Sequence, residues 1–365
     1  MENHYAYIFV PLEGSAYQIG QRQAVIIQQN PALRAFFTST PQDWISANFA
    51  NAASLYREYC PGLEEELQGV ADGLKGPPGQ LFYNLLTYLK PIHCSHFALK
   101  PEKTTNGHTL VGRNYDFGPE SEDMRLCLTR PQGKFHHLAF SSLLLGRSDG
   151  MNDQGLVLTM SAGGIPVGSL PGMTPPMQTG LQFWAVGRSV LENCASVAQA
   201  VDWLKHIPCG GNPIYLLADR SGQAAKVEIH GAEIAIKYAD PYVYATNHYT
   251  SAELAHYTQP PMPNSVVRAQ RIQELINQHP EGVSAAAMRQ LMSTRYPDGL
   301  CNHFYQEMFG TLYSFIADPQ DGRMDICFGS PAVNSWHTFT FSQPNEAQTY
   351  PVELPQASGF REFWG

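Results

Sequence analysis

Cys94 opens a strand-like run, Cys94-Ser95-His96-Phe97-Ala98-Leu99. An Asn106-Gly107 turn signal comes next, and then a second run from Thr109 to Tyr115, so the two read as a hairpin. Antiparallel pairing returns the far end of the second run, Gly112-Arg113-Asn114-Tyr115-Asp116-Phe117, to the start of the first. A guanidinium and a carboxylate then lie next to a sulfur, the setting in which a cysteine nucleophile is lowered in pKa and held. Each residue alone has a plainer reading: a cysteine in a strand is a small hydrophobe, and an Arg three residues from an Asp is a surface ion pair. Arg113 and Asp116 fall in a run that otherwise reads as buried, where charges need partners, and so the three together point to chemistry.

The elements that position them divide at Cys94. Residues 1–93 read mainly helical, with helices expected over Gln42–Tyr59, Leu63–Leu74 (Glu64-Glu65-Glu66 in its first turn) and Gln80–Leu89. From Cys94 the texture changes to short strands, at 94–100, 109–115, Arg125–Arg130, Lys134–Phe140 and Gly155–Met160. Helices are expected again at Gln182–Glu192 and Ser196–His206. Strands recur at Pro213–Ala218, Ala224–His230, Glu233–Tyr238 and Tyr242–Thr246, and then helices at Val266–Asn277 and Ala285–Ser293. A closing hairpin, Leu312–Ala317 with Arg323–Phe328, precedes a last strand, Thr338–Ser342. Strands in meander order, interrupted by paired helices, indicate an α+β fold of antiparallel sheets covered by helices.

Composition narrows the function classes. With 365 residues, 43% of them hydrophobic, the chain can bury a sizeable core as one large domain or two average ones. Twenty-three basic against 32 acidic residues give a net charge of −9 with no basic stripe, which argues against nucleic acid and anionic membrane surfaces as partners. The apolar stretches are too short to span a bilayer, and Met1-Glu2-Asn3-His4 lacks a cationic start to a signal peptide. Seven cysteines (60, 94, 127, 194, 209, 301, 327), odd in number and without a Cys-x-x-Cys pair, argue against a disulfide framework or structural zinc and fit a reducing, cytoplasmic setting. No metal-ligand spacing and no phosphate-cradling glycine loop is present, so neither a metal nor a cofactor is expected. A homo-oligomer is compatible with all of this.

Two rival chemistries can be weighed. Gly146-Arg147-Ser148-Asp149-Gly150 matches the Gly-x-Ser-x-Gly elbow of serine hydrolases, but the next residues, Met151 to Gly155, read as a turn into another strand rather than the required helix. An unprocessed papain-like thiol enzyme would need His96, His248 or His337 as partner of the sulfur. Asn247 by itself reads as a turn residue after a strand, and Arg268 with Arg271 as a solvated helix face.

Cys94, Gly112-Arg113-Asn114-Tyr115-Asp116, Gly150-Met151-Asn152-Asp153-Gln154-Gly155-Leu156, Thr246-Asn247-His248 and Ser265-Val266-Val267-Arg268-Ala269-Gln270-Arg271 occur in that order, with Gly329-Ser330-Pro331 and Trp336-His337-Thr338-Phe339 at the end. The series resembles the N-terminal-nucleophile (Ntn) hydrolases of the choloylglycine hydrolase, penicillin V acylase and isopenicillin-N acyltransferase group. The leader ahead of the cysteine is more similar to the acyltransferase branch. The resemblance implies a four-layer αββα sandwich, a precursor cut between His93 and Cys94, a leader over 1–93 packed on the core, and a catalytic domain over 94–365. It implies Cys94 as nucleophile and, through its new amino group, as base, with Arg113 favouring the thiolate and Asp116 anchoring the amine. Asn247 corresponds to the oxyanion donor, a backbone N–H near Ala162-Gly163 to a second donor, and Arg268 to the arginine that holds the site together. The implied substrate is a small N-acyl amide or acyl thioester. His93 stands where the acyltransferase branch usually has a small residue, which is the feature that favours an alternative: an uncut, non-catalytic binding or scaffold protein of the same fold.

Overall fold

The computed structural model describes residues 5–29, 53–75, 93–142, 145–163 and 180–359. The chain begins with β1 (Tyr5–Gly14), α1 (Ala16–Gln29) and α2 (Leu63–Leu74), with a further helical stretch over 53–59. A meander comes next: β2 (His93–Leu99), β3 (Leu110–Phe117), β4 (Arg125–Pro131), β5 (His137–Ser142), β6 (Gly146–Asn152) and β7 (Val157–Ala162). Then come α3 (Phe183–Asn193), α4 (Val197–His206), β8 (Pro213–Ala218), β9 (Ala224–His230), β10 (Glu233–Tyr238) and β11 (Tyr242–Ala245). The chain closes with α5 (Pro263–Gln278), α6 (Ala285–Ser293), β12 (His303–Phe304), β13 (Phe309–Asp318), β14 (Arg323–Phe328), β15 (Trp336–Thr340) and β16 (Gln348–Val352). Helix starts obey local chemistry: Ser196 and Ser284 accept from the backbone of Gln199 and Ala287, and Pro263 occupies the first turn of α5.

Among the described residues the strands form two sheets. One has nine strands in the order β10-β9-β8-β7-β6-β5-β4-β1-β16; the other has seven, β11-β2-β3-β13-β14-β15 with β12 beside β13. Pairing is antiparallel except between β1 and β4, which run parallel. The two-residue period of β2 and β3 fixes the layers. Cys94, Ala98, Val111, Tyr115 and Phe117 face the apolar layer between the sheets, while Phe97, Leu99 and Leu110 join Ile272, Leu275, Met288 and Met292 of α5 and α6 on the outside. On the other flank Trp184, Val190 and Leu191 of α3 and Val197 and Val201 of α4 belong to the same cluster as Leu158, Leu216 and Val227 of the nine-stranded sheet. Helices therefore cover both outer faces, and the architecture is the expected αββα sandwich.

Three features depart from the sequence reading. The leading segment is not purely helical: Tyr5–Gly14 is a strand, inserted between β4 and β16. Residues 146–152 form a full strand, β6, so Ser148 lies buried inside a sheet rather than at a nucleophile elbow. An additional strand, β16, pairs with β1. The expected helix Leu63–Leu74 is observed as α2; of Gln42–Tyr59 only 53–59 is described, as helix, and Gln80–Leu89 lies outside the described residues.

The segment before β2 is keyed to the core by a buried ion pair, and its two helices are keyed to each other at glycines. Arg188 of α3 reaches Glu66 of α2 at 2.5 Å and Glu192 at 2.8 Å, all three groups buried. α1 and α2 cross at glycines: a Cβ on Gly20 would meet the Glu66 carbonyl oxygen at 1.9 Å, and one on Gly69 the Tyr17 carbonyl oxygen at 2.1 Å. Gly20→Ala gains about 1 kcal/mol of helix propensity, but the backbone it strikes cannot rotate away. Overpacking of this kind costs about 1–3 kcal/mol or more, so Gly20→Ala is expected to lower stability in urea unfolding; an unchanged or raised midpoint would contradict this crossing.

Candidate active site

The strand pairing puts Cys94 opposite Tyr115 and His93 opposite Asp116. Because faces alternate, Arg113 shares the inter-sheet face with Cys94, whereas Asp116 shares the opposite face with His93 and Ser95. The two charged residues thus bracket the cysteine from the two sides of its sheet instead of flanking it side by side. Arg113 points across to the other sheet, donating from Nε (3.0 Å) and Nη2 (2.9 Å) to Oδ2 of Asp149 on β6 and from Nη1 to the Asn114 carbonyl. Asp149 also accepts from the Tyr313 hydroxyl (2.5 Å) and from the Met160 backbone N–H (2.8 Å). On the other face, Asp116 accepts from Thr311 Oγ1 (2.6 Å) and Asn302 Nδ2 (2.7 Å).

β11 runs beside β2, and the residues that continue it bring Asn247 to Cys94. The Cys94 backbone N–H donates to Asn247 Oδ1 at 2.9 Å, and Arg268 Nη2 donates to the same oxygen at 2.7 Å. Two donors on one atom fix the amide orientation, so the Asn247 NH₂ is turned away, 3.0 Å from the Ala162 carbonyl. Arg268, on the buried face of α5, also donates to the Cys94 carbonyl, to Ser95 Oγ (2.8 Å) and to Asn264 Oδ1 (2.6 Å). Ser265 Oγ accepts from the Asn247 backbone N–H at 2.7 Å. Arg113, Asp116 and Arg268 are fully buried.

Burial dominates the electrostatics. It pushes the Cys94 thiol up to about 12; Arg113 pulls the other way, and Asp149 and Asp116 add to the rise. Burial also raises Asp116 to about 6, against the opposing pull of Arg268, Thr311 and Asn302. Burial disfavours charge on Arg113, but Asp149 and Cys94 outweigh it and hold its pKa above the ordinary value. His93 is buried with its ring stacked on Phe309 (centroids 3.8 Å apart), and burial followed by Arg268 keeps it neutral.

Of the residues singled out by sequence, Cys94, Asn247 and Arg268 are joined by direct hydrogen bonds. The atom resting against the Cys94 nitrogen is Asn247 Oδ1, while the Asp116 carboxylate is taken by Thr311 and Asn302. At Ala162-Gly163 the Gly163 N–H is donated to the Asn212 carbonyl at 2.7 Å, and the Ala162 carbonyl accepts from Asn247. The histidines of a papain-like arrangement are engaged elsewhere: His96 with Thr159 (2.7 Å) and Ser161 (3.1 Å), His248 with Ser265 (2.8 Å), and His337 on the exposed strand β15. Asp149 escaped the sequence reading, although an Asp beside Gly150-Met151-Asn152 in a buried strand needs a cation, and Arg113 was the buried cation without one.

A carboxyl whose pKa rises on folding binds its proton more tightly in the native chain. The native state therefore gains stability on acidification through about pH 6 and keeps that gain below the ordinary value of 3.8; the gain is lost as pH rises through about 6. In a Cys94→Ala chain this Asp116 contribution is worth about 2 kcal/mol between pH 4 and pH 7. Asp116→Asn should remove it, seen as a flatter pH dependence of the unfolding free energy. Parallel pH profiles for the two chains would refute the raised value.

Residues 103–333 match the model of the acyl-coenzyme A:6-aminopenicillanic acid acyl-transferase family, a stretch that contains Arg113, Asp116, Asn247 and Arg268 and begins just after Cys94. An uncharacterized protein of Archaeoglobus fulgidus is 23% identical over 272 residues, 63% of this chain, and the match spans 44% of that relative's length. Among solved structures, penicillin V acylase from Agrobacterium tumefaciens is 18% identical with a TM-score of 0.45, covering 69% of this chain and 87% of that one. A mutant of conjugated bile acid hydrolase from Clostridium perfringens is 14% identical with a TM-score of 0.43, covering 73% and 99%. The Caenorhabditis elegans ortholog of N-acylethanolamine-hydrolyzing acid amidase is 16% identical with a TM-score of 0.42, covering 62% and 93%. With more than half of its length under the family model, the chain belongs to the acyl-coenzyme A:6-aminopenicillanic acid acyl-transferase family.

Proposed function

We propose that this chain cuts itself between His93 and Cys94 and then acts as a cysteine Ntn amidohydrolase or acyltransferase. Its substrates are small molecules carrying a non-peptide C–N amide or an acyl thioester, and its intermediate is an acyl group on Cys94. One observation carries the reading: the Cys94 nitrogen rests on Asn247 Oδ1, an oxygen that Arg268 also holds. Once the chain is cut, that nitrogen is a primary amine with a reference pKa of about 7.7–8.0. One of its hydrogens stays on Asn247, which turns its lone pair toward the thiol proton. The amine then serves as general base for its own side chain. Asn247 Nδ2, released from Ala162, donates to the oxyanion; Arg113 favours the thiolate, and Arg268 keeps the amide from flipping.

In turnover the sulfur forms a bond to the substrate carbonyl, the amine passes its proton to the leaving nitrogen or sulfur, and water or an amine later takes the acyl group from Cys94. Full burial of the thiol, with its pKa at about 12, is also what an uncut, non-catalytic protein of this fold would show. A thiol-reactive acyl probe separates the two: selective labelling of Cys94 among the seven cysteines supports the enzyme, and no labelling supports the binding protein.

Intact mass of the wild type should give two fragments meeting at Cys94, and Cys94→Ala a single uncut chain. The fragments should stay together in native mass spectrometry, because β1 of the leader lies between β4 and β16. A single species for both proteins would defeat the proposal. Asn247→Ala should lower kcat on an N-acyl amide by about 10²–10³-fold, the usual cost of one oxyanion donor; a kcat within about threefold of wild type would remove Asn247 from that role.

A further inference from the structure

His93 is the last residue of the leader, and its surroundings are those of a held group. It begins β2, with its backbone in register opposite Asp116, and its side chain is buried. Its imidazole lies on the ring of Phe309 with centroids 3.8 Å apart and 22° between planes. Phe309 is itself fully buried at the start of β13, and the Arg268 guanidinium carbon is 5.7 Å from the centre of the same ring. Three groups around the bond to be cut are therefore held. The Cys94 N–H is held by Asn247, the Cys94 carbonyl by Arg268, and the residue that supplies the scissile carbonyl by Phe309.

Resting on the self-cleavage proposed above, we infer that the stack of His93 on Phe309 positions the His93 carbonyl for attack by the Cys94 sulfur. Attack forms the C–S bond and breaks the His93–Cys94 C–N bond, and the thiol proton passes to the Cys94 nitrogen. Water then hydrolyses the thioester, leaving a carboxylate on His93 and a free thiol on Cys94. The imidazole exchanges no proton in either step. Its contribution is a flat surface of the right size, since a residue without a ring leaves the carbonyl free to swing away from the sulfur. Intramolecular attack depends steeply on this geometry, and a misplacement of about 1 Å can cost about 10²-fold. Phe309 and His93 are thus positioning residues, and a ring at position 93 is required where its charge is not.

The test tracks first-order cleavage of freshly synthesised full-length chain by intact mass. Thermal melting of each variant in a Cys94→Ala background verifies folding. His93→Phe should cut within about threefold of wild type, while His93→Gly and Phe309→Leu should each cut about 10- to 100-fold more slowly with the melting transition retained. Phe309→Tyr, which restores a ring, should return the rate. Equal rates for His93→Gly and wild type would overturn the positioning role and leave self-cleavage standing. A slow His93→Phe would also overturn it, because the imidazole would then be needed for more than its shape. An uncut wild type would overturn both the inference and the self-cleavage beneath it.

Discussion

The structure around Cys94 depends on the cost of burying charge. Three ionisable side chains, Arg113, Asp116 and Arg268, are fully removed from water within the layers that surround one neutral thiol. An unpaired ion in such a place costs several kcal/mol even after relaxation, so each must meet partners of good geometry. Those partners come from different elements: Asp149 from β6 in the opposite sheet, Thr311 from β13, Asn302 from the segment before β12, and Asn264 from α5 itself. Satisfying the charges therefore means docking sheet on sheet and helix on sheet in one arrangement. Tyr313 adds to this by stacking on Tyr115 and Phe140 while its hydroxyl holds Asp149.

The alternation of faces along β2 and β3 gives this cluster its form. A strand interior separates what lies on its two sides, and Arg113 and Asp116 lie on opposite sides. A residue can serve chemistry on both faces only at a strand end, where its backbone nitrogen is free of the ladder and its side chain takes one face. Cys94 is one residue from the start of β2. Its sulfur faces Arg113 between the sheets, and its nitrogen donates to Asn247 Oδ1, an oxygen that Arg268 of α5 also holds. Cutting the chain at His93 would make that position terminal.

Legibility in the sequence tracked how local the determinants are. The hairpin of β2 and β3, the capped helices α4 and α6, and the hairpin of β13 and β14 were all readable, because turn residues and apolar period sit within the segment itself. β1 was not, since its neighbours β4 and β16 are more than a hundred residues away and only their presence makes Tyr5–Gly14 a strand. β6 was missed for a different reason. Arg147, Ser148 and Asp149 are all buried in it, so the strand carries polar residues where the period-two rule looks for apolar ones. The same blind spot hid Asp149: the motif showed Arg113 and Asp116 three residues apart, but the pairing that matters is between sheets. The odd spacing of Arg113 and Asp116 already puts them on opposite faces of one strand; what the sequence did not show was the partner across the sheets.

In the uncut chain burial holds the Cys94 thiol in its neutral form. With its pKa near 12, only about one Cys94 thiol in 10⁵ is ionised at pH 7, so a reaction that began from thiolate would be very slow. Arg113 cannot correct this, because Asp149 already compensates most of its charge. An additional base is needed next to the sulfur, and in the uncut chain the nearest nitrogen is an amide, which has no basicity to offer. In the proposed cut chain that amide would become an amine and supply the base. On the proposed function, the arrangement that stabilises the fold would support turnover once the peptide bond before Cys94 is gone, and the hydrogen bond from that nitrogen to Asn247 would persist from one state to the other.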